Sequence, residues 1–207
     1  LVGLIMGTRC GDIDVSIVQY IMNKTGKSID EVMDDLYKRS GLLGVSGVSS
    51  DSRDVEAAAL EGNKRAILAN EMYAQKIANY IAMYNNELGG ADVITLTAGV
   101  GENSKTMRKA ILDKIASLGV KIDEEKNDFR GEFRLISTDD SKIPVYVVPT
   151  DEELEIAQKT GVELEMVPVA KEAFVFFVNK ENSVENLTLG QIQQIYSGKI
   201  TNWKSVG

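Results

Sequence analysis

Residues 92–107 read DVITLTAGVGENSKTM. A short apolar run, Val93 to Leu96, breaks into Gly99-Val100-Gly101 and then into Asn103-Ser104, which open a helix. The stretch therefore reads as a strand, a tight glycine turn and a helix start. Glycine lets the backbone come close to a ligand where no Cβ intervenes, and the unpaired N–H groups of a helix start favour a phosphate or another polar group. A nucleotide is the first ligand this chemistry suggests. The spacing matches neither GxGxxG nor GxxxxGK[ST], and the same junction also serves plain α/β architecture without any ligand. The rest of the chain has to decide between the two.

Bulk properties narrow the field. A chain of 207 residues can hold one domain with a sizeable core, or one domain plus a fragment. Its net charge of −8 offers no basic surface to nucleic acid or to an anionic membrane. The single cysteine, Cys10, excludes an intramolecular disulfide and reads as a small semi-buried residue; there is no CxxC or Cys/His cluster for zinc. No apolar run reaches membrane-spanning length and no signal peptide is present. The chain begins with Leu1 rather than Met, which reads as a start inside a larger protein. Histidine is absent, so any chemistry must rest on charge and geometry. Phosphoryl transfer meets that restriction, because positioning and electrostatic stabilisation dominate it. A binding protein meets it equally.

Along the chain, Gly3 to Asp14 reads as a glycine-punctuated loop feeding a helix over Ile13 to Met22. Ser28-Ile-Asp-Glu31 is a capping box that starts a second helix. Gly41 to Ser50 reads as a small-residue loop, followed by Asp51-Ser-Arg-Asp54 ahead of an alanine-rich helix ending near Gly62. Asn63 caps the longest helix, in which Ile67, Ala74, Ile77, Ile81, Tyr84 and Leu88 form one apolar stripe expected to face the core. Gly89-Gly90 ends it, and Ser104 to Leu118 is helical. Val120 to Ile122, Phe133 to Ile136 and Val145 to Val148 read as strands, and Thr150-Asp-Glu-Glu153 as a capping box opening a helix through Lys159. Strands alternating with helices predict an α/β layered fold. From Gly161 the character changes: Val162 to Asn179 is strand-rich and Leu187 to Tyr196 reads as helix.

Four polar clusters fall at element junctions: Arg9, Asp51 with Arg53, Asn103, and Asp151 with Glu152. In an α/β sheet, ligands gather at the C-terminal strand ends, so residues from several junctions can converge on one site. Each also has a plain explanation. Arg9 serves as a surface arginine, Asp51 and Thr150 as helix caps, Arg53 as a partner for Asp54 or Glu56, and Glu152 as a charge favouring the helix dipole.

Four strings weigh against those plain explanations. MGTRCGDID at 6–14, SGLLGVSGVSSDSRD at 40–54, TAGVGENS at 97–104 and PTDEELEIA at 149–157 together resemble acetate kinase, in order and at matching intervals. The resemblance runs from about Leu1 to Thr160. It implies the C-terminal half of the acetate and sugar kinase, Hsc70 and actin fold, an α/β domain that is incomplete here. It further implies that Arg9 holds the transferring phosphoryl group and acetate, and that Asp51 and Arg53 lie in the loop beside the nucleotide. Gly99, Val100, Gly101 and Asn103 correspond to the adenosine pocket, and Glu152 to the carboxylate associated with Mg²⁺. The implied cofactors are ATP/ADP and Mg²⁺, the implied location is cytoplasmic, and the full-length family is homodimeric. The chemistry is coherent: a guanidinium fork suits a planar anionic transition state, and a hard oxygen ligand suits Mg²⁺. Cys10 stands where serine is usual, and Ser52 where Met or Phe is common. The family's N-terminal half, with its acetate pocket, second arginine and two site histidines, is not in this sequence.

Residues 161–207 resemble a different family. NLTLGQIQQIYSGKITNW, at 186–203, is similar to an internal piece of the extracellular or periplasmic phosphate-binding protein of bacterial ABC importers. That family's anion-binding serine and glycine loops are not among these residues, so no phosphate ligand is assigned. The chain therefore reads as a composite, 1–160 from an acetate kinase and 161–207 from a partial α/β binding protein, joined near Gly161.

Overall fold

The computed structural model describes residues 3–150, the strands Leu164–Pro168 and Val175–Asn179, and Gln191. The chain divides into two units, Leu1–Pro149 and Thr150–Gly207. No helix among the described residues is long and apolar enough to cross a membrane.

In the first unit, α1 (Val15–Thr25) starts where Asp14 accepts from the Ser16 N–H at 2.8 Å and ends at Gly26 in the left-handed region. The expected capping box opens α2 (Ile29–Lys38): the Ser28 hydroxyl accepts from Glu31 N–H, and the Glu31 carboxylate accepts from Ser28 N–H at 2.8 Å. Three helices follow, α3 (Gly41–Ser46), α4 (Ser52–Leu60) and the 24-residue α5 (Lys64–Glu87), which Asn63 caps through Arg65 and Ala66 N–H. Then come β1 (Ile94–Leu96), α6 (Ala98–Asn103), α7 (Lys105–Lys114), a 3₁₀ turn at Ala116–Leu118, β2 (Arg134–Leu135) and β3 (Val145–Val147).

The three strands form a mixed sheet in the order β1-β3-β2. β1 runs parallel to β3, with Ile94 beside Val145 and Leu96 beside Val147, and β2 is antiparallel to β3. One face of β1 and β3 carries Ile94, Leu96, Val145 and Val147 into the core, where Ala78, Leu112, Ile115, Ile136 and Ile143 join them. A second core packs Leu42 and Val55 onto Ala66 and Ala69, and a third joins Ala74 to Met107 and Ile111. α5 is common to all three and acts as the spine behind the sheet.

Three expectations change. Gly41 to Ser50 is not simply a loop: α3 forms there because carbonyls from the 6–8 segment accept from its first N–H groups. Val120 to Ile122 makes one antiparallel bridge, Ile122 with Ser137, rather than a strand. The expected stripe of α5 is only partly inside. Ile67 is 44% exposed and Leu88 72%, whereas Ala66, Ala69, Ala74 and Ala78 are each 2% exposed or less. Alanine lets neighbouring helices approach closely, so packing selects the small face and leaves larger side chains at the rim.

In the second unit, β4 (Leu164–Pro168) and β5 (Val175–Asn179) pair antiparallel from Leu164 with Asn179 to Pro168 with Val175. This agrees with the strand-rich reading of Val162 to Asn179. Of the helix expected over Leu187 to Tyr196, only Gln191 is described, in helical conformation. The helix expected from Thr150 to Lys159 lies outside the described residues.

Candidate functional site

The segment carrying Arg9 is clasped by the start of α3. Leu42 and Leu43 N–H donate to the Met6 and Gly7 carbonyls at 3.0 and 2.9 Å, Ser40 N–H donates to Thr8 O at 2.9 Å, and Cys10 N–H donates to Leu36 O at 3.0 Å. Gly41 makes this approach possible. Its φ is +62°, and a Cβ there would sit 2.1 Å from Met6 O and 2.7 Å from Arg9 O. The Arg9 guanidinium lies over the Tyr37 ring, 5.6 Å from its centroid, and among the described residues no carboxylate pairs with it. With Leu4, Met6, Cys10, Met33 and Tyr37 it lines a cavity of about 330 Å³. A guanidinium beside this cavity can meet an anionic group.

Gly7 ties this segment to the next one. A Cβ on Gly7 would meet Ser50 O at 2.5 Å, so the Arg9 segment and the approach to Asp51 are in backbone contact. Asp51 caps α4 by accepting from Arg53 N–H at 2.9 Å, and it also receives Arg53 Nη2 at 2.6 Å and Nε at 3.1 Å. The Arg53 side chain, and then its backbone N–H, hold the Asp51 carboxyl at about 2. Arg53 thus turns to Asp51, not to Asp54 or Glu56.

The glycine segment departs from the sequence reading. Gly99-Val100-Gly101 is not a tight turn but the body of α6, entered through extended Thr97 and through Ala98 at φ +58°. Asn103 ends α6 rather than opening the next helix; Ser104 alone caps α7, accepting from Met107 N–H at 3.0 Å. The two glycines differ. A Cβ on Gly101 would lie 3.1 Å from the carbonyl carbon of Leu96, so Gly101 lets α6 pack on β1, whereas Gly99 is exposed and a Cβ there would meet nothing within 4 Å. Val100 packs toward Ala74, Met107 and Ile111, and Asn103 Nδ2 donates back to Gly99 O at 3.0 Å.

Two connections were not anticipated. The Ser104 hydroxyl lies 2.8 and 2.9 Å from the two Glu56 carboxylate oxygens, linking α4 to the α6–α7 junction. Arg108 is fully buried beneath α6 and donates to Gly101 O and Glu102 O. Its signal was available: it precedes Ile111 and Leu112 by three and four residues, on the buried face of α7. Asp51, Glu56 and Ser104 thus carry a continuous path from the Arg9 segment to α6.

Glu152 lies outside the described residues. Among the described ones, no group of three or more His, Cys, Asp or Glu could hold a metal ion, and the Asp51 carboxylate is occupied by Arg53.

Comparison with known proteins identifies the family. Residues 1–158 match the model of the acetokinase family, and residues 145–207 match a PBP superfamily domain. The acetate kinase of Clostridium novyi is 52% identical over 160 residues, which are 77% of this chain and 40% of that protein. The acetate kinase of Methanosarcina thermophila is 50% identical over 160 residues, 77% of this chain and 39% of that protein. Among solved structures, an acetate kinase from Porphyromonas gingivalis superposes with a TM-score of 0.73 at 43% identity, covering 77% of this chain and 40% of that one. A propionate kinase from Francisella tularensis superposes at 0.72 and 40% identity, covering 76% and 40%. The chain thus spans about 40% of the length of the curated relatives it matches. Mixed α/β architecture, the three-stranded sheet with its helical spine and the family match over residues 1–158 lead to one conclusion: this chain belongs to the acetokinase family.

Proposed function

We propose that residues 1–160 form the nucleotide-binding half of a kinase that transfers the γ-phosphoryl group of ATP to a short-chain carboxylate such as acetate, giving ADP and the acyl phosphate by in-line displacement. The observation that carries this reading is the contrast between Gly99 and Gly101: Gly101 is packed on β1, while Gly99 faces open space where an adenosine can lie against bare backbone. In this reading the segment of Gly99, Val100, Gly101 and Asn103 forms the nucleoside wall, with Gly99 facing the nucleoside and Gly101 seating the segment on β1, and Asp51 and Arg53 lie beside the phosphates. Arg9 meets the transferring phosphoryl group and the carboxylate. Glu152 is assigned to Mg²⁺, whose part is to neutralise charge on the phosphate oxygens. Similarity to both an acetate and a propionate kinase supports a short-chain acid as acceptor.

Because the sequence covers about 40% of its relatives, the opposite wall of the cleft and the carboxylate pocket are expected from the part not represented here. The chain by itself is then expected to bind nucleotide without turnover, in the cytoplasm, with dimerisation belonging to the full-length family. Calorimetric titration with ATP and ADP, beside an acyl-phosphate assay with acetate and propionate, tests this. Binding without product is the expected result. Product formed by the purified chain overturns the assignment of an incomplete site, and absence of any nucleotide binding overturns the nucleotide reading.

A second reading rests on the PBP superfamily match at 145–207 and the β4–β5 pair. It makes residues 161–207 a partial module of an extracellular or periplasmic phosphate-binding protein, joined to the kinase part near Gly161. Phosphate affinity without ATP affinity would favour it. Intact mass of the polypeptide establishes whether both parts belong to one covalent chain.

A further inference from the structure

We propose that Arg108 is a positioning residue that holds the nucleotide-facing segment in place; the inference rests on the reading of Gly99–Asn103 given above. Its side chain is fully buried, yet every acceptor around it is neutral. Nη1 donates to Gly101 O at 3.0 Å and Glu102 O at 2.9 Å, Nη2 to Asn127 O at 2.8 Å and Phe129 O at 3.0 Å, and Nε to Asn127 Oδ1 at 2.6 Å. The guanidinium also lies 4.7 Å from the centroid of the Phe129 ring. Burying a charge without a counter-ion is costly, and a well-packed apolar side chain fills such a space at less cost. What an apolar residue cannot do is join carbonyls from separate segments.

Those carbonyls belong to short pieces that depend on contacts with the rest of the fold, Gly131 N–H on Glu102 O at 3.2 Å and Asn127 N–H on Asp123 O at 2.9 Å among them. α6 has six residues, too few to hold itself as an isolated helix. The 127–129 segment contains no strand or helix. Asn127 Nδ2 donates to Lys105 O at 2.9 Å, which closes the ring back onto α7. The cation also sits at the carbonyl end of α6, where the helix dipole favours it. Arg108 therefore fixes the end of α6 against α7 and the 127–129 segment, and so orders Gly99–Asn103 before any ligand arrives.

The test compares Arg108→Lys and Arg108→Met in the full 207-residue chain with Ile136→Ala, a variant of the core beneath the sheet. Hydrogen exchange of the 100–104 amides and ATP titration are read together. Arg108→Lys is expected to weaken ATP binding about ten-fold and to raise exchange selectively in α6. Ile136→Ala should raise exchange throughout the sheet and leave ATP affinity within two-fold. Should the Arg108 variants not fold, Asn127→Ala, which keeps the arginine and removes one acceptor, is read the same way. Equal loss in the Arg108 and Ile136 variants, or unchanged α6 exchange, overturns the inference. If the wild-type chain binds no ATP, the nucleotide reading falls, and exchange decides the role of Arg108 by itself: selective opening of α6 upholds it, and uniform opening overturns it.

Discussion

The Ser104 hydroxyl bridges the two carboxylate oxygens of Glu56 at 2.8 and 2.9 Å, across 48 residues of chain, while it also caps α7. One small side chain thereby joins the helix that begins at Asp51 to the junction that follows Gly99–Asn103. Ser104→Ala should lose both contacts and leave a half-buried carboxylate without this partner, at a cost of about 1–3 kcal/mol. A double-mutant cycle with Glu56→Gln, measured by urea denaturation, is expected to give a coupling of about 0.5–1.5 kcal/mol. Strict additivity would show that the bridge contributes nothing.

Gly99→Ala and Gly101→Ala separate binding from folding. A Cβ at Gly99 meets nothing within 4 Å, so the fold should keep its stability or gain up to about 1 kcal/mol, while ATP binding weakens about ten-fold. At Gly101 the Leu96 backbone is 3.1 Å away, and overpacking should cost about 1–3 kcal/mol. Thermal melts beside calorimetry distinguish the two.

Gly41→Ala should be the most damaging of the small substitutions. It combines a left-handed φ with a Cβ 2.1 Å from Met6 O, so the Arg9 segment must leave α3. The strain alone costs about 1–2 kcal/mol, and the displaced hydrogen bonds add to it. A urea midpoint close to wild type would contradict the clasp.

Acid should weaken the α4 cap. The Asp51 carboxyl titrates at about 2 in the fold, against 3.8 ordinarily, because Arg53 donates to it. A lowered folded value means its stabilisation is present above 3.8 and is lost as pH falls toward about 2. Asp51→Asn should remove that pH dependence and leave a smaller loss near neutrality, since asparagine still caps helices. Unfolding midpoints between pH 5 and pH 2 check this.

The faces of α5 compare large and small residues directly. Ala74→Leu, at a site with no exposure, is expected to cost about 1–3 kcal/mol or more, whereas Ile67→Ala, at 44% exposure, should cost less than about 1.5 kcal/mol. The reverse order would restore the stripe expected from periodicity.

The Ser28–Glu31 box, the Asn63 cap, the helix start at Ser104 and the strands at 94–96 and 145–147 were legible along the chain, because each depends on contacts within four residues or on a short apolar run, whereas the Asp14 cap was not read and the first helix starts at Val15 rather than Ile13. So was the family, because its four strings are themselves sequence. What remained hidden depends on partners far along the chain. Gly41–Ser46 is helical because carbonyls some 35 residues upstream cap it, a pairing that no local pattern records. The glycines of 99–101 look alike in sequence; β1 beneath one and open space beside the other give them different roles. The spacing of Arg108 to Ile111 and Leu112 puts it on the buried face of α7, but the carbonyls that enclose it come from segments that only the fold brings together. The sequence by itself determined the Ser28–Glu31 box, the Asn63 cap and the family of this protein. Tertiary structure alone decided which face of α5 is buried and which cation is enclosed among the carbonyls of α6 and the 127–129 segment, because burial and long-range hydrogen bonds exist only once distant segments pack together.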